Sequence, residues 1–135
     1  NVDLEITRFP ARCGGERGVQ TLLKRGKRFK VSDDFNIKPS GGTPLVSAMW
    51  HGYAELACQA RNKRKLLIII TDGSVYGDEP KQMVELMQQS GIQTACLGIQ
   101  TTESVSHLCD ISESITDLSE IERAIFSITE AALTR

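Results

Sequence analysis

The sequence predicts an α/β fold: a three-layer, doubly wound and mostly parallel sheet with helices on both faces. Three observations point to it. Leu66-Leu67-Ile68-Ile69-Ile70 is a continuous apolar run without alternation, β-branched and short, as expected of a strand covered on both faces in the middle of a parallel sheet. Segments with helical apolar spacing stand between such runs. The last segment repeats Ile121, Ala124, Ile125, Ile128 and Ala132 at the spacing of one helix face. A chain of 135 residues buries one sizeable core and leaves little for a second, so residues 1–135 are expected to form a single domain.

Taken in order, Val2, Leu4 and Ile6 alternate with polar residues before Phe9-Pro10, the period of a half-buried strand ended by proline. After the Cys13-Gly14-Gly15 turn, Val19, Leu22 and Leu23 lie at helical spacing with Gly26 as a stop, which predicts a short helix or an irregular crossover. Residues 30–42 are rich in turn formers and read as a loop. Pro44 then sits in the first turn of a helix running to about Arg61, with Leu45, Ala48, Met49, Gly52, Tyr53 and Leu56 on one face.

Beyond the central strand, Asp78-Glu79-Pro80 opens a helix with Met83, Val84, Leu86 and Met87 as its apolar set and Ser90-Gly91 as its stop. Ile92 to Ile99 reads as a second buried strand. A short helix near Glu103–Cys109 and a weaker strand around Ser114–Leu118 follow. Ser119 and Glu122 have the spacing of a capping box for the last helix.

Composition removes several classes. Hydrophobic content of 40% and charged content of 24% are those of a globular chain, and no apolar run approaches the roughly 18 residues of a membrane span. No export leader is visible. The four cysteines have no ligand-like C-x-x-C spacing, so free thiols in a reducing cytoplasm are the plainer reading. The motifs of nucleophile-elbow hydrolases, P-loop enzymes, dinucleotide binders and zincins are absent, and no catalytic residue is assigned. His51 and His107 fall in helical patterns, where a hydrogen-bonded or surface histidine is expected.

Charge is unevenly spread. Residues 1–64 carry 12 Lys and Arg against 6 Asp and Glu, whereas residues 65–135 carry 4 against 11. The basic stretch from Lys24 to Lys30 suits either a nucleic-acid or acidic partner or, more plainly, a solvated helix end.

Ligands of a doubly wound sheet bind beyond the carboxyl ends of its strands, so the turn after the apolar run is the place to look. There Thr71-Asp72-Gly73-Ser74 sets a carboxylate at the rim. In Gly41-Gly42-Thr43, two glycines permit close backbone approach and a hydroxyl follows at a helix start. A hydroxyl and a carboxylate on neighbouring loops make half a site for a hard cation. Equally, Thr43 could merely cap its helix and Asp72 merely stabilise a turn.

Gly41-Gly42-Thr43-Pro44-Leu45 and, about thirty residues on, Leu66 to Gly73 together resemble two parts of the metal-ion-dependent adhesion site of von Willebrand factor A (VWA) domains. The chain is most similar to bacterial intracellular members, such as the C-terminal domain of cobaltochelatase and nitric-oxide-reductase-activation proteins. The resemblance implies that Thr43 and Asp72 are metal ligands, supported by Gly41, Gly42, Gly73 and Ser74, with Mg²⁺, or Mn²⁺ or Ca²⁺, as cofactor of the complete domain. It implies a non-enzymatic, cytoplasmic protein-interaction module that binds an acidic residue of its partner and works with an AAA+ ATPase in metal chelation or metalloenzyme maturation.

The family's first motif, D-x-S-x-S, occurs nowhere in residues 1–135. Val2–Phe9 matches the family's second strand, so the fold is expected to lack its first central strand, leaving residues 2–9 and 66–71 each short of a neighbour. The resulting expectations are a dimer or strand-exchanged assembly and no tight metal binding by Thr43 and Asp72 alone. The alternatives are a nucleic-acid or acidic-partner module using Lys24 to Lys30, and a purely structural assembly domain.

Overall fold

A computed structural model describes residues 2–9, 19–27, 45–72, 75, 77–100 and 106–135. The chain divides into two compact units, residues 1–51 and 52–135. In the first, strand β1 (Ile6–Arg8) pairs antiparallel with β2 (Gln20–Leu23), Arg8 lying opposite Gln20 and donating from Nε to its Oε1 at 2.8 Å. The expected strand from Val2 therefore shrinks to three residues. Val2 is 92% exposed, so its place in the alternation does not carry it into a core.

A second correction falls on Val19 to Leu23, read above as helical. Three apolar residues fit helical spacing by chance, and pairing with β1 supplies backbone hydrogen bonds that an isolated helical turn would have to nucleate by itself. Gly26 does act as a stop, at φ +76°, in a turn closed by Lys27 N–H donating to Lys24 O at 3.1 Å. Helix α1 (Leu45–Ala54) widens into a π-helical turn, Glu55–Gln59, whose last bond runs from Ala60 N–H to Glu55 O at 2.9 Å. It thus ends two residues short of the expected Arg61.

The second unit is built on a parallel sheet of order β3-β4-β5, comprising Lys65–Thr71, Ile92–Ile99 and Ile111–Ile115. The fold is α/β as predicted. Ile68 lies opposite Ala95, and Ala95 opposite Ile111, so Leu66, Ile68, Ala95, Leu97, Ile99, Ile111 and Ile115 share one face. Helix α3 (Ile121–Thr134) closes that face with Ala124, Ile128 and Ala132. Helix α2 (Glu79–Gln89) packs against β4, and its buried Met83, Val84 and Met87 stand outside that cluster, on the opposite face.

The start and stop of α2 follow its sequence. Pro80 occupies the first turn, where its missing N–H costs nothing, and Glu79 faces the positive helix pole. At the other end Ser90 N–H donates to Leu86 O, and Gly91 takes φ +73°.

Three further expectations are corrected. The strand expected at Ser114–Leu118 lies at Ile111–Ile115. Of the helix expected near Glu103–Cys109, residues 101–105 lie outside the described residues and Ser106–Leu108 form a turn. The capping box is Asp117 with Glu120, two residues earlier than Ser119 with Glu122, and it opens a 3-10 turn, Leu118–Glu120, that runs into α3. Both pairs have the spacing; Asp117 wins because its extended backbone (φ −123°, ψ 136°) leaves the side chain free to accept from Ser119 N–H at 2.9 Å.

Strand β3, expected to be covered on both faces, is so only in part. It is not the most buried strand: Ile69 and Thr71 are buried, but Ile70 is 37% exposed. The most buried strand is β4, which has a neighbour on each side, whereas β3 pairs only with β4 among the described residues.

Candidate functional site

All three strands of the parallel sheet run the same way, so their carboxyl ends share one rim. Thr71 pairs with Gly98, and Ile99 with Ile115. Asp72 follows Thr71 directly and is exposed, so a carboxylate stands at this rim. Thr71 itself is buried. Of the predicted site residues, Asp72 alone is placed; Gly41, Gly42, Thr43, Gly73 and Ser74 lie outside the described residues.

Beside Asp72's strand, β4 is followed by Gln100, which adopts φ +58° and donates its backbone N–H to Ile115 O at 2.8 Å. A non-glycine residue in the left-handed region costs conformational energy and is held there by its surroundings. Sequence reasoning passed over Gln100. Nothing in composition marks a left-handed glutamine.

The third strand exits into acidic residues with a different task. Glu120 Oε2 accepts from the backbone N–H of Asp117 at 3.1 Å and of Thr116 at 3.2 Å. The Ser119 backbone amide, with its hydroxyl, holds the Asp117 carboxyl below its ordinary range. These two carboxylates are spent on the helix start, whereas Asp72 is exposed directly beyond β3.

In the first unit, His51 Nε2 lies 3.2 Å from Glu5 Oε1 with both side chains partly exposed, the hydrogen-bonded histidine that was expected. His107 is exposed in a turn. Of the basic stretch, Lys24 and Lys27 are exposed in the turn after β2, so they do not sit at a helix end.

One comparison with known families finds a match. The sequence model of the von Willebrand factor type A domain fits residues 29–134. The chain belongs to the VWA family. Domains of this family commonly serve as protein-interaction modules. No curated protein sequence and no solved structure matches the chain. Among the described residues, no helix is long and apolar enough to cross a membrane.

The VWA assignment gives Asp72 a chemical test. A carboxylate oxygen is a hard donor of the kind Mg²⁺, Mn²⁺ and Ca²⁺ take, so the donor at this rim fits a divalent cation in type. One carboxylate does not enclose a cation, and the remaining oxygens would have to come from other residues or from solvent.

Proposed function

We propose that this VWA domain binds protein partners through a divalent cation, Mg²⁺ or else Mn²⁺ or Ca²⁺, held with the help of Asp72 and Thr43. Gly41, Gly42, Gly73 and Ser74 take supporting roles. An acidic side chain of the partner completes the coordination, so affinity tracks metal occupancy. The module works by recognition and not by catalysis, in the cytoplasm of a bacterium. Its partner is an AAA+ ATPase engaged in metal chelation or metalloenzyme maturation, as in cobaltochelatase-type members of the family.

The observation that carries this reading is the exposed Asp72 directly beyond Thr71, at the carboxyl rim of a parallel sheet, in a chain of VWA sequence. The test uses the parent protein as bait for partners in native extract, with Mg²⁺ and with chelator. Partner retention should fall about tenfold or more on chelation and equally in Asp72→Ala, while the circular dichroism spectrum is kept. Retention indifferent to both treatments defeats the proposal. Mass spectrometry of the retained proteins tests the AAA+ ATPase.

A second reading rests on Lys24 and Lys27, which are exposed in one turn. If that turn serves nucleic acid, binding to mixed duplex DNA should fall steeply with salt and weaken in the double variant Lys24→Ala/Lys27→Ala.

A further inference from the structure

On the sheet face opposite α3, Cys96 of β4 and Cys109, just before β5, bring their sulfurs to 2.6 Å. Cys96 is fully buried and Cys109 is 6% exposed, and both are free thiols. They stand 13 positions apart, without the C-x-x-C spacing that marks redox motifs. The fold unites them by returning the chain from the end of β4 to the start of its neighbour. Cys58 is exposed, in the π-helical turn.

The pair is electronically unequal. The hydrogen bond between the two sulfurs holds the Cys109 thiol below its ordinary range and pushes Cys96 far above it. Thr94, two residues before Cys96 on the same face of β4, supplies a second stabiliser. Its hydroxyl is buried with no hydrogen-bond partner of normal geometry among the described residues, and the Cys109 sulfur is the group it favours in the ionised form. A buried hydroxyl left without a conventional partner is costly in a core, and a polarisable thiolate beside it offsets that cost.

We propose that Cys96 and Cys109 form a modification site: a thiol pair that closes to a disulfide on reaction with a small peroxide and reopens with a dithiol. The Cys109 thiolate attacks one peroxide oxygen, forming an S–O bond as the O–O bond breaks, and the departing hydroxide takes a proton to become water. Cys96 sulfur then attacks the Cys109 sulfenic acid, forming S–S. Its proton and the sulfenic hydroxyl leave as a second water. Two thiols thus lose two electrons and two protons, and the peroxide is reduced to two waters. Cys109 reacts first because it is the less buried of the two. Closure pins the segment before β5 to the middle of β4.

The experiment uses the whole chain with Cys13→Ser and Cys58→Ser, so that only the pair remains. After stoichiometric hydrogen peroxide, catalase quenching, denaturation and iodoacetamide, the expected product is about 2 Da lighter than the reduced chain and carries no alkyl group. Dithiothreitol should restore two alkylation sites. The thermal midpoint of the oxidised chain should rise by about 5–10 °C, because the closed loop restricts the unfolded state. Two alkyl groups after peroxide, or a product about 32 Da heavier from sulfinic acid, overturn the proposal. Unsubstituted protein, digested without reduction, guards against a folding defect in the variant. A peptide crosslinked through Cys96 and Cys109 supports the pair, and crosslinks through Cys13 or Cys58 in its place count against it.

Discussion

Strands β3 and β4 lie side by side, and the more apolar of the two is the less buried. Leu66 to Ile70 is uninterrupted aliphatic sequence, yet Ile70 remains 37% exposed. Strand β4 carries Gln93, Thr94 and Gly98, yet Ala95, Cys96 and Leu97 are all 0% exposed. The difference is position: β4 is paired on both edges and contacted by α2 and α3. Hydropathy reports what a segment can bury, whereas neighbours decide what it does bury.

The largest expected effect separates the two strands. Leu97→Ala should cost about 3 kcal/mol in chemical unfolding, because Leu97 is fully enclosed in the cluster under α3. Ile70→Ala should cost roughly 1 kcal/mol or less, because part of that side chain already meets water. Equal costs for the two variants would break the comparison.

Next in size is the turn that feeds β4. Gly91 holds φ +73° with open space around the missing Cβ, so Gly91→Ala should cost about 1 kcal/mol from backbone conformation alone. Denaturant titration at unchanged m-value checks it. Smaller still is a probe of how readily β3 gives way. A Cβ on Gly52 would meet Leu67 Cδ1 at 2.8 Å, but that methyl is the far end of a flexible, partly exposed side chain. The gain in helix propensity should offset the displacement, so Gly52→Ala is expected to change stability by less than about 1 kcal/mol. A loss well beyond that would mean β3 is as rigid as β4.

The smallest effect concerns the exit of β5. Folding lowers the Asp117 pKa from an ordinary 3.8, so its contribution is complete above that value and is lost as pH falls through the lower folded value. Thermal midpoints measured between about pH 5 and pH 2 should therefore decline less steeply in Asp117→Asn than in the parent chain.

The same contrast explains which parts of the molecule could be read from sequence. Helix α2 was legible because Pro80, its apolar set and Ser90-Gly91 are local signals, each acting within a turn or two. Strand β4 and the core face of α3 were legible from period alone. The rank of β3 was not, since the number of neighbours a strand pairs with is not written in its own residues. Strand β2 was lost for a related reason: its hydrogen bonds come from β1, twelve residues from Gln20 at Arg8, and no local pattern announces them. At the candidate site, Asp72 was found from the end of an aliphatic run, whereas Thr43 lies outside the described residues. The Cys96 and Cys109 pair was invisible to a search for short spacings because a strand-to-strand return, not a turn, unites it.

The in-register parallel sheet also gives the second unit two unlike poles. Arg64, Gly91 and Asp110 precede the three strands and gather at the pole away from Asp72. There Arg64 Nη1 donates to Leu133 O at 2.8 Å, a cation set against the negative end of α3. A fluorophore or surface tether attached at exposed Ser90 would therefore lie at the pole away from Asp72. Immobilised this way, the second unit would carry its Asp72 end on the side away from the attachment point.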